Sequence, residues 1–102
     1  MRIDLDNRVI ILTGAGGGIG SASAKLLVEC GAHVVCVDQN SDALEELAKN
    51  LPQDKLTLMP IAVTDSDSAS RVVEAVMAKH THLDAFIHML SLIHISEPTR
   101  PY

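Results

Sequence analysis

Five of the chain's six glycines lie between Gly14 and Gly20, in the stretch Thr13-Gly14-Ala15-Gly16-Gly17-Gly18-Ile19-Gly20. Residues without a Cβ let a backbone take otherwise forbidden angles, approach a ligand closely, or pack a helix tightly on a strand. An apolar run, Val9-Ile10-Ile11-Leu12, precedes the glycines, and Ile19, Ala22, Leu26, Leu27 and Cys30 recur after them at helical spacing. A strand, a glycine turn and a helix in that order leave free amides and the positive end of a helix dipole at one point. That end favours an anion by about 0.3–1 kcal/mol when exposed and by more when buried; a pyrophosphate suits it. The spacing is Gly14-x-x-x-Gly18-x-Gly20. The general fingerprint Gly-x-Gly-x-x-Gly fails, because from Gly14 its last position falls on Ile19. No Gly-Lys-Ser/Thr follows, which argues against a nucleoside-triphosphate loop.

Asp38 is the second residue with evident chemistry. It lies about 20 residues past the turn, where an acidic side chain can accept hydrogen bonds from an adenosine ribose. It also suits a solvated turn or a helix cap. A 2′-phosphate there would meet a like charge, at roughly 4 kcal/mol for a separation of about 4 Å and an effective dielectric near 20. No Arg or Lys stands in the glycine turn or in Gln39-Asn40-Ser41 to offset that cost.

The elements that must position these residues alternate in type. Strand patterns cover Arg8–Leu12, Ala32–Val37, Lys55–Val63 and Leu83–Met89. The first two are apolar without alternation, as in parallel strands covered on both faces. Pro60 is awkward within the third, which either ends before it or bulges there. The first helix runs to about Cys30, with Gly31 as its stop. Ser41 or Asn40 caps a second helix with the apolar stripe Leu44, Leu47, Ala48 and Leu51, and Pro52 ends it. A third helix runs from Ser66 to Lys79, with Ala69, Val72, Val73, Val76 and Met77 as its core side.

Composition narrows the classes further. At 102 residues the chain suffices for one small domain, and its net charge of −5 argues against nucleic acid or an anionic membrane as partner. No apolar run is long enough to span a bilayer, and Met1-Arg2-Ile3-Asp4 does not begin a signal peptide. Cys30 and Cys36 have no metal or redox spacing and read as small core residues in a reducing cytoplasm. His33 reads as a strand-entry residue. His80 and His82 have a spacing that can bind metal, but no third ligand is evident, so no metal site is assigned.

With its threonine, spacing, preceding strand and following helix, the stretch from Thr13 to Gly20 resembles the N-terminal signature of the short-chain dehydrogenase/reductase family, Thr-Gly-x-x-x-Gly-x-Gly. The resemblance implies an α/β fold: a Rossmann-like doubly wound parallel sheet, truncated here after about four strands and three helices. It implies a cofactor site at Thr13, Gly14, Gly16, Gly17, Gly18, Ile19, Gly20, Asp38 and Val63. An acidic residue at the end of the second strand goes with NAD in this family, so NAD is expected rather than NADP. Ala62-Val63-Thr64-Asp65 resembles the segment beside the adenine, with Val63 against the ring face. An Asp commonly leads that segment, and here Ala62 stands there. Asp65 matches a later acidic position and equally suits a helix start. The implied activity is hydride transfer between a nicotinamide and an alcohol or carbonyl substrate, in a cytoplasmic parent protein that assembles as a homo-oligomer. Two alternatives remain. Gly14-x-x-Gly17-x-x-Gly20 also fits the extended branch of nucleotide-sugar epimerases and dehydratases, although that branch usually has an aromatic where Gly18 stands. A non-catalytic dinucleotide-binding module is the other.

The family pattern stops near residue 89. The fourth strand should lead into Asn-Asn-Ala-Gly; His88 and Met89 occupy the two Asn positions, and Ala-Gly does not follow. Leu90-Ser91-Leu92-Ile93-His94-Ile95-Ser96-Glu97-Pro98-Thr99-Arg100 resembles a translation of the transposase-end adapter used in sequencing-library preparation, with Pro101-Tyr102 as the first index bases. Residues 1–89 therefore read as the N-terminal half of a dinucleotide-binding domain, and 90–102 as a non-native tail. A genuine divergent ending, with Leu90 to Ile95 extending the fourth strand, is the alternative. The family's catalytic Tyr, Lys, Ser and Asn lie beyond the fourth strand, so no catalytic residue is assigned. Tyr102 has no Lys four residues later, and Ser91 and Ser96 are tail residues. The chain as written is expected to lack dehydrogenase activity and to leave one sheet edge open.

Overall fold

The strand patterns without alternation become the two central strands of the sheet. In the computed structural model, which describes residues 4–88, the order is β1 (Val9–Thr13), α1 (Gly18–Glu29), β2 (His33–Val37), α2 (Ser41–Ala48), a short 3-10 turn (Gln53–Lys55), β3 (Leu56–Met59), α3 (Ser66–His80) and β4 (Ala85–His88). The four strands are parallel in the order β3-β2-β1-β4. Every residue of β1 is buried, and in β2 only His33 is not fully so. Both faces are covered. Ile10, Leu12, Val34 and Cys36 join Ala24 and Val28 of α1 and Leu44 and Ala48 of α2. Val9, Ile11, Val35 and Val37 meet Val72 and Val76 of α3 on the other face. A strand's period of two sends neighbours to opposite faces, and with helices on both the whole run must be apolar. Burial pushes the Cys36 thiol up to about 12, which leaves it a small core residue; Cys30 is only half-buried and also a free thiol.

The third strand ends at Met59, just before Pro60, so no bulge is needed. Asn40 rather than Ser41 caps α2, its Oδ1 accepting the Ala43 amide at 3.1 Å. α2 itself ends at Ala48, and Pro52 instead precedes the 3-10 turn. Asp65 caps α3 in a reciprocal arrangement with Ser68, and the Ser68 amide holds its carboxyl below the usual carboxylate range.

Two apolar stripes differ from the sequence expectation. In α1 the buried residues are Gly20, Ala24 and Val28, while Ile19 is 62% and Leu26 60% exposed. Ala22 is exposed too, and only Leu27 and Cys30 of the expected stripe are half-buried. The cause is steric: the inner line of α1 starts against the backbone of Gly14, where only small residues fit. In α3, Met77 is 43% exposed rather than core. Val72 and Val76 point at the sheet, and Met77 lies about 100° further round the helix than Val76. Among the described residues no helix is long and apolar enough to cross a membrane. Met89 and the segment 90–102, with Ser91, Ser96 and Tyr102, lie outside the described residues.

Candidate functional site

The site forms where β1 and β2 end side by side. Thr13 pairs with Val37 in the parallel register, so the turn after β1 and the residue after β2 are neighbours. Gly14 opens the turn at φ 73°, a conformation that glycine adopts without the penalty of a Cβ. Its amide donates to the Val37 carbonyl at 2.8 Å, and the Ala15 amide donates to the same oxygen at 3.3 Å. These bonds tie the turn to β2. Gly20 then packs α1 onto the turn: a Cβ there would lie 2.0 Å from the Gly14 carbonyl oxygen. Backbone cannot swing aside as a side chain can, so Gly20 is required by packing alone.

Gly17 and Gly18 are different. A Cβ on Gly17 would meet only the Gly14 oxygen, at 3.6 Å, and one on Gly18 would meet nothing within 4 Å. Among the described residues nothing requires these two positions to be small. They are exposed and border open space at the start of α1. Gly17 is the N-cap of α1 with no side-chain cap, and the first turn carries no acidic residue. The first amides of a helix have no partner within it, so this end presents donors and a positive dipole to that space. Exposed Ile19 borders the same start.

Asp38 completes the arrangement. Its Oδ2 accepts the Gly16 amide at 2.9 Å and its Oδ1 accepts the Asn40 amide at 2.9 Å. It is thus neither a loose turn residue nor the cap of α2; it bridges the glycine turn to the start of α2. Thr13, Gly14, Gly16, Gly17, Gly18, Ile19, Gly20 and Asp38 gather at one end of the sheet. Val63 lies in the connection between β3 and α3 and packs at the margin of the α3-side core.

Two residues at this end escaped the sequence reading. The Thr13 hydroxyl lies 2.6 Å from His88 Nδ1, and the two residues are paired in the β1–β4 register. Thr13 is also the one buried polar residue among those described. Ala43, in the first turn of α2, faces Gly16. The signal for His88 was the register, since paired parallel strands bring their last residues together; Ala43 carried none. β1 and β4 also flank the point where the strand order reverses, outside whose carboxyl ends ligands bind in open α/β sheets.

The other histidines among the described residues sit at the amino ends of the strands. His33, the first residue of β2, lies 4.4 Å from His80 between ring centroids. His82 Nε2 lies 2.9 Å from the Asn7 carbonyl oxygen and 3.3 Å from Asp84 Oδ2. Among the described residues no group of three His, Cys, Asp or Glu is placed to hold a metal.

Residues 8–99 match the family model for short chain dehydrogenase. An uncharacterised oxidoreductase of Staphylococcus haemolyticus is 34% identical over 96 residues, 94% of this chain and 42% of its own length. One of Staphylococcus aureus is 36% identical over 84 residues, 82% of this chain and 36% of its own. The chain thus spans about two fifths of these relatives. Among solved structures, a short-chain dehydrogenase/reductase of Brucella melitensis described as a glucose/ribitol dehydrogenase superposes with a TM-score of 0.77 at 30% identity, over 84% of this chain and 37% of that one. A 3-ketoacyl-(acyl-carrier-protein) reductase of the same organism, complexed with NADH, gives 0.72 at 29% identity over 81% and 34%.

Proposed function

The chain belongs to the short chain dehydrogenase family, and from that premise we propose that it is the cofactor-binding part of an NAD-dependent oxidoreductase acting on an alcohol or carbonyl. The observation that carries this reading is the open, uncapped start of α1 at Gly17 and Gly18, with Asp38 bonded to the adjoining Gly16 amide. The donor set fits a nicotinamide dinucleotide: amides and a helix dipole for the pyrophosphate, and the Asp38 carboxylate for an unphosphorylated ribose. In this reading Thr13 and Gly14 set the turn, Gly16 to Gly20 receive the pyrophosphate, and Ile19 and Val63 offer apolar surface to the cofactor. The bound nicotinamide would supply or accept the hydride; the residues here hold and orient it. Relatives crystallised with NADH and with NAD+ support the dinucleotide.

The preference for NAD over NADP rests on Asp38 and on the absence of Arg or Lys in residues 13–20 and 39–41. Titration of the chain with each dinucleotide tests it. Tighter binding of NAD is expected, and tighter binding of NADP rejects it. The 102-residue chain is expected to turn over no alcohol, because the family's catalytic Tyr, Lys, Ser and Asn positions follow the fourth strand. A steady NADH signal from the purified chain would contradict this.

Residues 90–102 belong to this proposal as a non-native tail, on the strength of their lettering, although the family match runs to residue 99. Resequencing decides: a natural frame continuing past codon 89 supports the tail reading, and independent reads ending in the same residues refute it.

A further inference from the structure

Asp38 is already half saturated before any ligand arrives. A carboxylate has about four acceptor sites. The Gly16 amide occupies one on Oδ2 and the Asn40 amide one on Oδ1, each at 2.9 Å. The relay continues, because Asn40 Oδ1 accepts the Ala43 amide at 3.1 Å. The carboxylate plane is therefore fixed from both sides, by the glycine turn and by the start of α2. Two acceptor sites remain. A vicinal diol offers two hydroxyl donors and fills them. A phosphate monoester in place of one hydroxyl removes a donor and adds a like charge.

The fixing depends on Gly16 having no side chain. A Cβ there would lie 2.9 Å from Asp38 Oδ2 and 2.8 Å from Ala43 Cβ. Ala43 Cβ is attached rigidly to α2, so the group able to yield is the Asp38 carboxylate. Its displacement would break the Gly16 bond and turn both remaining acceptor sites. Gly16 thus differs from Gly18, whose Cβ would touch nothing, and from Gly20, which is required by backbone packing.

We propose that Gly16 is a positioning residue for cofactor selectivity: its amide and its missing side chain hold Asp38 so that the remaining acceptor sites face an unphosphorylated ribose diol. This rests on the dinucleotide reading above and adds the residue that makes Asp38 selective. Charge at Asp38 alone would not need it.

The test uses the 102-residue chain in two arms. The first is amide hydrogen exchange without ligand, in which the Gly16 amide is protected and loses protection in Asp38→Ala. A Gly16 amide that exchanges equally fast in both overturns the clamp. The second is titration of wild type and Gly16→Ala with NAD and NADP. Loss of hydrogen bonds to a charged group weakens NAD roughly tenfold or more, while NADP, relieved of a fixed like charge, weakens less, so the NAD:NADP ratio falls. An unchanged ratio in a folded variant overturns the proposal. Pairing Gly16→Ala with Ala43→Gly removes the rigid contact and keeps the one with Asp38, so the ratio is read in a chain that folds. Wild type that binds neither dinucleotide rejects the cofactor reading itself, and with it the use assigned to Gly16, whatever the exchange arm gives.

Discussion

The two ends of the same four strands are built on opposite terms. At the amino ends, most polar groups satisfy one another, with the buried His80 Nε2 the exception among the described residues. Asp84 accepts the Val9 amide at 2.8 Å and the Arg8 guanidinium at 3.2 Å, and faces His82. His33 Nε2 lies 2.8 Å from the Thr57 hydroxyl, and Lys55 Nζ donates to the Gly31 carbonyl at 3.4 Å. At the carboxyl ends, donors are left over and space is left open, at the start of α1 and beside Gly17 and Gly18. A largely closed set of hydrogen bonds stabilises the fold and has less capacity left for a ligand. An open set has capacity, and the molecule forgoes stability there. The difference separates residues that serve stability from residues that serve binding, and substitutions at the two ends should separate the same way.

The largest effect is expected where the two roles meet. Gly20→Val drives a side chain into the Gly14 carbonyl and should cost about 3 kcal/mol or more, read as a collapse of the denaturant midpoint together with loss of NAD binding. At the amino end, Asp84→Ala should lower Tm clearly, since the Val9 amide, the Arg8 guanidinium and His82 all lose a partner, and NAD affinity should be unaffected. Equal losses of affinity for Asp84→Ala and Gly18→Ala would break the division.

A pH scan gives the next effect. Burial and the neighbouring His80 hold the pKa of His33 below 6.5, and burial and Lys79 hold that of His80 below the same value. Lys79, Lys55 and His82 add positive charge around the pair, while a hydrogen bond to the Asp54 backbone acts on His33 in the other direction. The unfolded chain therefore takes up protons first as pH falls. Stability is full above about 6.5, the unfolded histidine value, and declines as pH falls from there towards the lower folded values. His33→Gln should flatten this part of the curve in a series of melts. Asp84 acts further down. The Val9 amide, foremost, holds its carboxyl below 3.8, so its contribution is present above that value and disappears as pH falls through the folded one.

The smallest effect on stability belongs to Gly18→Ala. Its Cβ meets nothing, and replacing glycine in a helix reduces the entropy lost on folding, a gain of up to about 1 kcal/mol. Binding of NAD should nevertheless fall, because the methyl occupies the open space at the start of α1. A variant that melts like wild type or higher and binds NAD as well would show that the space has no ligand.

Much of this was legible in the residues. Val9 to Leu12 and Val34 to Val37 are apolar throughout because both faces are covered, and that alone specified parallel strands with helices on each side. The glycine spacing placed the turn, and Asp38 followed from its distance along the chain. What escaped depended on register or on close approach. Thr13 and His88 meet only because β1 and β4 end together. The buried line of α1 is Gly20, Ala24 and Val28 because the helix rests on a backbone carbonyl; periodicity picked the bulkier Ile19 and Leu26, which face outward. Gly16 looked like one glycine among five until the end of β2 was beside it. Met77 matched the apolar spacing of α3, yet a helix across two strands buries a narrower stripe than the sequence offers.

Amide shift mapping of the isotope-labelled chain during a titration with NAD tests the separation of the two ends most directly. The account predicts the largest shifts at Gly16 to Gly20 and at Asp38, with His33, His80, His82 and Asp84 unmoved. Shifts concentrated at the histidine end, or none between Thr13 and Gly20, would contradict it.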